Sequence, residues 1–434
     1  MKVGFISLGC SKNLVDTELC IGLFKKHKYE IVSKPEEAEI IIINTCGFIE
    51  SAKEEAINTI LEMSEYKKIG KCKYLIAMGC LVKRYKNELR KALPEVDLWV
   101  SIDEYDRLWY KIEELLQNKK PKNDKLDYKI RTITTGKTTA YLKIAEGCSN
   151  YCTYCAIPMI RGKFISRPIE EILDEAKMLV QNGIKEIIVI AQDTTKYGVD
   201  IYGESKLSIL LQELEKISGL KWIRFLYAYP ESIDKFLIET VKNSKKICHY
   251  FDIPIQHIEN NILKKMNRKS NEKQIKKLIN YIRTEIPDVI LRTSLIVGFP
   301  GETKENFNEL YEFVLNTRFD KLGVFAYSKE EGTPAAGFKG QIHPMTKKSR
   351  RNKIMKLQQK ISKEKLEEKI GNKFEALIEG KTLDNKYYIS RTYMDVPDMD
   401  GVCLIKNTKK LNNGEFVTCI MTDVLEYDLI ADLA

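Results

Sequence analysis

The chain has 434 residues, of which 44% are hydrophobic and 30% charged, so it contains enough apolar material for about three globular domains. Its apolar runs are short, Ile40 to Ile43 being typical, which excludes a transmembrane helix, and Met1 to Cys10 lacks the charged and apolar regions of a signal peptide. We therefore expect a cytoplasmic protein without a membrane partner. The net charge of +10 is compatible with contact to nucleic acid or a ribosome, and equally with a solvated lysine-rich surface.

Strand and helix patterns alternate regularly in residues 1–117. The predicted order is strand Lys2 to Leu8, helix Leu14 to His27, strand Glu39 to Asn44, helix Ser51 to Lys67, strand Lys73 to Met78, helix Leu81 to Leu93, strand Val96 to Val100 and helix Tyr105 to Gln117. Such alternation predicts βαβ units and an open parallel sheet.

A polar, lysine-rich stretch from Asn118 to Lys129 has little periodicity and predicts a linker, which we place at residues 118–133. Alternation then resumes in residues 134–370. The six predicted strands are Tyr141 to Ile144, Glu186 to Ala191, Trp222 to Tyr227, Tyr250 to Ile255, Val289 to Val297 and Leu322 to Tyr327. Helical patterns such as Ile169 to Gln181 and Thr303 to Leu315 lie between them, so we expect a partial (βα)6 barrel. In such folds the chemistry lies on the loops after the strands.

The last part of the chain has a different pattern. Pro344 to Ile370 is a highly charged helical segment that closes the central domain, and residues 371–434 contain about five short β runs. These runs are Phe374 to Ile378, Lys386 to Arg391, Gly401 to Ile405, Glu415 to Thr422 and Glu426 to Ala431. Their spacing predicts a small five-stranded antiparallel β-barrel of the oligonucleotide-binding type. The predicted fold class is therefore α/β, with an open sheet, a partial barrel and a small β-barrel in succession.

Eleven cysteines are many for a cytosolic chain, where thiols stay reduced, and they indicate metal binding or catalysis. Cys148, Cys152 and Cys155 form a C-x3-C-x2-C motif directly after the first strand of the central domain. One loop with this spacing can wrap three corners of an iron-sulfur cubane and leave its fourth iron open. A zinc site would need a fourth Cys or His nearby, and the loop has none.

This loop resembles the signature of the radical S-adenosylmethionine superfamily, and Tyr154 before the last cysteine also fits it. The resemblance covers roughly Thr134 to Ile370. It implies a [4Fe-4S] cluster whose open iron binds S-adenosylmethionine, and one-electron cleavage of that cofactor to a 5′-deoxyadenosyl radical.

Other cofactor contacts follow from the same resemblance and not from spacing. Gln192 and Asp193 end the second predicted strand of the domain, where the family contacts the methionine amino group. Gln256 ends the fourth strand, and Val297 ends the fifth, where the family holds adenine. Each could equally be a turn or a helix cap, and the sequence assigns no catalytic acid or base.

Three further cysteines, Cys10, Cys46 and Cys80, each end a predicted strand of the N-terminal domain and precede a helix. The carboxyl ends of parallel strands meet at one crevice, so these cysteines should face one another. Nearby helix N-termini favour the thiolates that bind metals. The alternative is that they are three small buried hydrophobic residues.

This N-terminal half resembles the corresponding domain of the methylthiotransferases, which carry a second [4Fe-4S] cluster on three such cysteines. The combination with a radical core and a C-terminal TRAM domain is specific to that family. The resemblance implies that a C–H bond is replaced by C–SCH3, with one S-adenosylmethionine supplying the radical and another the methyl group. It also implies a sulfur donor and an electron donor such as flavodoxin or ferredoxin.

Two substrate classes compete within this family, namely an aspartate of a ribosomal protein and an adenosine of tRNA. The segments from Gly9 to Asp16, from Asn44 to Ala52 and from Gln192 to Gly198 resemble the ribosomal-protein branch, the RimO type. That branch implies modification of the β-carbon of an aspartate in the twelfth small-subunit ribosomal protein. The tRNA adenosine methylthiotransferases are the alternative.

Charge offers an independent argument. Residues 371–434 contain 7 Lys and Arg against 11 Asp and Glu, a net charge of −4. A barrel that binds tRNA should be basic, because phosphate contacts dominate such affinity. An acidic barrel better suits a basic ribosomal protein, unless its charge has no bearing on the substrate.

Overall fold

The N-terminal domain is a five-stranded, wholly parallel sheet with strand order β2-β1-β3-β4-β5. We describe the whole protein from a computed structural model that covers residues 1–118, 120–136 and 138–434. Lys119, in the predicted linker, and Lys137 lie outside the described residues. The elements are β1 Lys2–Ser7, α1 Ser11–Lys26, β2 Glu30–Val32, β3 Ile40–Thr45, α2 Glu50–Ser64, α3 Tyr66–Ile69, β4 Tyr74–Gly79, α4 Cys80–Ala92, β5 Leu98–Ser101 and α5 Leu108–Leu115. The predicted parallel sheet is confirmed, and the short edge strand β2 is the one strand of it that the sequence did not suggest.

The central domain contains all six predicted strands, each followed by at least one helix. Its elements are β6 Thr139–Lys143, β7 Ala145–Glu146, α6 Ile157–Arg161, β8 Ile165–Ser166, α7 Ile169–Gln181, β9 Glu186–Ile190, α8 Val199–Tyr202, α9 Leu207–Glu215, β10 Trp222–Phe225, α10 Lys235–Asn243, β11 Tyr250–Asp252, α11 Asn260–Lys265, α12 Glu272–Glu285, β12 Ile290–Val297, α13 Lys304–Thr317, β13 Lys321–Ala326 and α14 Pro344–Glu367. The strands form two parallel groups, β6-β9-β10 and β11-β12-β13. Backbone hydrogen bonds of Ile223 with Lys246 and Cys248 join the two groups, which gives the expected partial barrel.

The C-terminal domain is a closed five-stranded barrel with strand order β14-β15-β16-β18-β17. Its strands are β14 Lys373–Lys381, β15 Tyr387–Thr392, β16 Cys403–Lys406, β17 Phe416–Val424 and β18 Leu429–Leu433. The predicted barrel is confirmed with one refinement: β16 and β18 pair in parallel, whereas the other four pairings are antiparallel.

Two apolar layers hold the central domain together. On its outer face the strands bury alternate residues against the surrounding helices. On its inner face Tyr141, Ile188 and Ile190 lie in one buried cluster with Val15 and Leu19 of α1 and with the C-terminal barrel. Helix α1 of the N-terminal domain therefore packs across the open inner side of the partial barrel.

The C-terminal barrel docks at the end of the central sheet where its strands begin. Arg391 of the barrel contacts Glu186, the first residue of β9, and Lys321, the first residue of β13, pairs with Asp395 at 2.7 Å. The cysteine loop follows the other, carboxyl end of the strands. Among the described helices, none combines the length and apolar character that crossing a bilayer requires.

Candidate active site

The loop that carries Cys148, Cys152 and Cys155 begins directly after the short strand β7. Gly147 has a φ of +71°, and a Cβ at this position would lie 2.1 Å from the Lys163 carbonyl oxygen, so only glycine fits the turn. The Cys148 amide donates a hydrogen bond to Gly162 O at 3.1 Å, and Cys148 and Cys152 are buried while Cys155 is partly exposed. The backbone thus directs three thiols from one short loop into the mouth of the partial barrel.

Contacts from distant parts of the chain fix this loop. Asn150 Nδ2 donates to Asp193 Oδ2 at 2.8 Å, and Asn267 Nδ2 donates to the Tyr151 carbonyl at 3.0 Å. The Thr153 amide donates to Met266 O at 3.1 Å. The loop is therefore held between the turn after β9 and the end of α11.

A buried cation faces the thiols of this loop. Arg268 Nη1 lies 3.8 Å from Cys152 Sγ, and its guanidinium stacks 4.3 Å from the Tyr229 ring. Burial raises the pKa of the Cys148 thiol to about 11 and raises that of Cys155. Thiols in such surroundings stay protonated until a metal displaces their protons, and Arg268 favours the resulting thiolates.

Cys10, Cys46 and Cys80 converge at the carboxyl edge of the N-terminal sheet. Cys10 caps α1 after β1, Cys46 follows β3, and Cys80 begins α4 after β4. A Cβ on Gly9 would lie 2.6 Å from Cys46 Cβ, and Cys80 Sγ lies 3.4 Å from Asn13 Oδ1 at the start of α1. The structure therefore brings the three strand-end cysteines to one place. Burial raises the pKa of the Cys80 thiol to about 12, with Arg161 opposing the shift.

Each cysteine group offers three thiols, which are the donors that hold iron-sulfur clusters in proteins. In the described part of the chain, no three His, Cys, Asp or Glu side chains come close enough to hold one ion. In a cubane cluster each thiolate binds a different iron, so the three sulfurs stand farther apart than the ligands of one ion. Three thiols beside one buried arginine, found in each group, suit such a cluster.

The two groups lie next to each other across the domain interface. Cys80 packs in one buried cluster with Ala156, the residue after Cys155, and with Ile160 of α6. Arg161, at the end of α6, donates to Asp16 of α1 at 3.0 Å and to Glu146 at 2.7 Å. The N-terminal crevice therefore opens onto the mouth of the central domain.

The predicted cofactor contacts border the same mouth. Gln192 Oε1 is buried and has no hydrogen-bond partner among the described residues, whereas Asp193 accepts from Asn150 and Thr195. Gln256 has a φ of +70°, and its backbone bridges to β12 through Ser294 and Ile296. Val297 is fully buried at the end of β12, next to Ile296. Asp193 contacts the Cys148 loop through Asn150, whereas the Val297 side chain belongs to the outer apolar layer of the central domain. The role of all four residues stays a prediction.

Several residues that shape the site were not predicted from the sequence. Asn13 and Asp16 lie on α1, and Arg161 and Arg268 approach the cysteines from the central domain. For the two residues on α1 a signal was available in the sequence. Polar residues occur on the same turns of this helix as Leu14, Val15 and Leu19, so the helix has no side that faces solvent alone. Arg268 lies more than a hundred residues from Cys152, and no local pattern marks it.

Comparison with protein families divides the chain as its architecture does. The family described as Uncharacterized protein family UPF0004 matches residues 2–101, the Radical SAM superfamily matches residues 142–314, and the TRAM domain matches residues 370–433. All three cysteines of the central loop lie within the Radical SAM match.

Curated relatives match along the full length. A protein of Alkaliphilus oremlandii named "Ribosomal protein uS12 methylthiotransferase RimO" is 63% identical over 100% of this chain and 99% of its own. The proteins of the same name from Clostridioides difficile and from Clostridium perfringens strain 13 are each 49% identical, over 100% and 99% of this chain and 99% and 97% of theirs. The chain belongs to the RimO family. As a RimO-family protein it is a radical S-adenosylmethionine methylthiotransferase.

Solved structures support the fold alone. The radical S-adenosylmethionine methyltransferase TsrM of Kitasatospora setae aligns with a TM-score of 0.57 at 11% identity, over 77% of this chain and 76% of that one. The cobalamin-dependent radical enzyme OxsB aligns with a TM-score of 0.51 at 13% identity, over 77% and 54%. This RimO-family chain thus shares its sheet-and-barrel arrangement with distant radical enzymes.

Proposed function

We propose that this enzyme inserts a methylthio group at the β-carbon of one aspartate of ribosomal protein uS12, using two [4Fe-4S] clusters. The full-length relatives named for that substrate support the choice of uS12. The observation that carries the two-cluster proposal is the juxtaposition of Cys80 with Ala156, which follows Cys155. A radical centre and a sulfur centre must both reach one substrate carbon, and clusters held by these two cysteine groups would face each other across this interface.

The proposed ligands are Cys148, Cys152 and Cys155 for one cluster and Cys10, Cys46 and Cys80 for the other. When bound, the clusters and S-adenosylmethionine supply the electron, the hydrogen-abstracting radical, the sulfur and the methyl group. Gln192, Asp193, Gln256 and Val297 would hold S-adenosylmethionine at the carboxyl ends of the central strands. Gln192 Oε1, which has no hydrogen-bond partner in the described part of the chain, supports this assignment, because a buried carbonyl oxygen gains from accepting a ligand amino group.

Protein residues orient the two halves of the site. Arg161 connects α6, which follows the Cys148 loop, to α1, which follows Cys10. Its two carboxylate partners, Asp16 and Glu146, also pair with Lys143. Arg268 holds positive charge beside Cys152 and donates to Pro254 O at 2.8 Å. Both arginines offset the negative charge of thiolates in a buried site.

Two cysteine variants test the division of labour. Cys148→Ala should abolish 5′-deoxyadenosine formation. Cys10→Ala should leave cleavage of S-adenosylmethionine intact but stop methylthiolation, and Cys20→Ala, a buried cysteine of α1 outside both groups, should do neither. Iron analysis of the wild type after anaerobic reconstitution should give about eight irons per chain, and about four would contradict the second cluster.

Substrate choice requires a direct comparison. The reconstituted enzyme is incubated with purified uS12 or with tRNA, and both are analysed by mass spectrometry for an added methylthio group. Modification of an aspartate in uS12 supports the proposal. Modification of tRNA adenosine instead would show that the chain acts on the alternative substrate class.

A further inference from the structure

Lys12 is a buried lysine that has no counter-charge within residues 1–118, 120–136 and 138–434. It lies in the first turn of α1 with only 6% of its surface exposed. Among the described residues its ammonium has no hydrogen-bond and no ion-pair partner. It makes a cation–π contact with Tyr227, whose ring centroid lies 3.4 Å from Nζ. Burying an ammonium is costly, and a cation–π contact offsets only part of that cost.

Other buried cations of the molecule are treated differently. Lys143 pairs with Asp16 and Glu146, Lys321 pairs with Asp395, and Arg131 pairs with Glu18 and Glu175. The nearest acidic residue on the same helix face as Lys12, Asp16, is already shared by Lys143 and Arg161. The fold thus supplies carboxylates to its structural cations and leaves Lys12 without one.

The position of Lys12 relates this missing partner to the active site. It is two residues from Cys10 along the chain and directly precedes Asn13, whose Oδ1 lies 3.4 Å from Cys80 Sγ. The ring beneath its ammonium belongs to Tyr227, whose carbonyl accepts from the amide of Thr194, directly after the Gln192–Asp193 turn. The ammonium therefore lies where α1, which follows Cys10, meets the central domain beside the residue that contacts the turn after β9.

We propose that Lys12 binds the side-chain carboxylate of the substrate aspartate. The β-carbon of aspartate is bonded directly to its carboxylate carbon, so a cation that holds the carboxylate keeps the reacting carbon close by, at the contact of α1 with the central domain. The pairing supplies the missing counter-charge and gives a reason for selecting aspartate over asparagine. This inference rests on the proposed function, because it assigns the contact that the proposed substrate makes.

The test uses reconstituted holoenzyme and three variants: Lys12→Met, which keeps the length of the stem without its charge; Lys12→Arg, which keeps the charge; and Lys25→Met, an exposed lysine of the same helix, as the matched control. Iron content and the KM for S-adenosylmethionine should match the wild type in all three. We expect Lys12→Met to lower kcat/KM for uS12 roughly 100-fold, Lys12→Arg to recover part of that loss, and Lys25→Met to have no effect.

A binding measurement separates this contact from a structural effect. Fluorescence anisotropy of labelled uS12 should show that wild-type enzyme binds uS12 more weakly when the modified aspartate is replaced by asparagine, and that Lys12→Met binds both forms equally. A kcat/KM for uS12 equal to that of wild type in Lys12→Met overturns the inference. A raised KM for S-adenosylmethionine in Lys12→Met also overturns it, because the ammonium would then bind the methionine carboxylate. If the wild type leaves uS12 unmodified, the proposed function fails, and the assignment of Lys12 falls with it.

Discussion

At the scale of single residues, the cysteine positions depend on glycines that allow backbones to approach. Gly9 has a φ of +88°, and its Cα faces Cys46 so closely that a Cβ would lie 2.6 Å from Cys46 Cβ and 2.9 Å from its Sγ. Gly79, with a φ of +106°, brings the end of β4, directly before Cys80, against Asn44 and Thr45 in the same way. Three loops can meet around one group only because side chains are absent at these crossings.

Gly9→Ala should therefore damage the N-terminal cysteine group selectively. The added methyl group must displace Cys46, and the positive φ adds backbone strain. We expect iron per chain to fall from about eight to about four, methylthiolation to be lost, and 5′-deoxyadenosine formation to persist. Iron analysis and product chromatography measure these outcomes. Gly380→Ala, where a Cβ meets no atom within 4 Å, should behave like wild type. An unchanged iron content in Gly9→Ala would contradict the assignment of Cys46 as a ligand.

At the scale of elements, the sequence predicted most of the strands and helices and much of the site. Helix α7 was predicted at its observed bounds, because Ile172, Ala176 and Leu179 recur at helical spacing against the sheet. Strand β2 was missed, because a three-residue edge strand has no periodicity to detect. The convergence of Cys10, Cys46 and Cys80 followed from strand topology, whereas Arg161 and Arg268 reach the cysteines through tertiary contacts that no local pattern encodes.

The predicted linker also shows that tertiary contacts escape local sequence patterns, because its end is ordered and packed against two domains. Arg131 is fully buried between Glu18 of α1, at 2.5 Å, and Glu175 of α7, at 2.8 Å. The Ile130 carbonyl lies so close to Gly22 of α1 that a Cβ there would be 2.0 Å from its oxygen. Composition predicted a linker at residues 118–133, and the end of this segment also fastens α1 to the central domain.

Arg131→Met should loosen that connection. It leaves two buried carboxylates without their shared partner, which we expect to cost about 3–5 kcal/mol of stability. Chemical denaturation followed by intrinsic fluorescence reports on it, since Trp99 and Trp109 both lie in the N-terminal domain. The matched control is Lys129→Met, an exposed residue of the same segment, which should change stability by less than about 0.5 kcal/mol. Equal denaturation midpoints for Arg131→Met and Lys129→Met would show that the buried ion pairs of Arg131 contribute nothing to stability.

At the scale of the whole molecule, the acidic charge of the C-terminal barrel is partly used for docking. Asp395 pairs with Lys321, Asp400 accepts from the Tyr250 hydroxyl at 2.7 Å, and Glu375 pairs with Lys221 at 3.2 Å. These contacts attach the barrel to the end of the central sheet where its strands begin, away from the cysteine loop. The net charge of −4 therefore favours a basic substrate less than the sequence suggested, and it accounts in part for the cohesion of the enzyme itself.

The centre of this interface is Glu186, which should make docking sensitive to acid. Its carboxylate lies 2.6 Å from Arg391 of the barrel and 3.0 Å from Arg224, and it is fully buried. Burial alone would raise the pKa of this carboxyl, but Arg391 and Arg224 outweigh it and lower the pKa to about 2. Because the folded value lies below the unfolded value of about 4.3, the ionised carboxyl stabilises the fold above about pH 5, by about 3 kcal/mol. That contribution decreases as the pH falls towards 2.

Glu186→Gln should remove this contribution. At pH 7 we expect its thermal midpoint, measured by scanning calorimetry, to lie roughly 6–12 °C below that of wild type. The difference in thermal midpoint between wild type and Glu186→Gln should narrow as the pH is lowered from 5 to 3.5, because only the wild type loses the stabilisation by an ionised Glu186 there. Any loss of iron-sulfur cluster in acid would affect both proteins alike. The control is Glu375→Gln, which breaks the half-exposed ion pair of Glu375 with Lys221 at the same interface. It should lower the thermal midpoint by only a few degrees at every pH. A difference between wild type and Glu186→Gln that stays constant from pH 7 to 3.5 would show that the two arginines do not hold this carboxyl ionised.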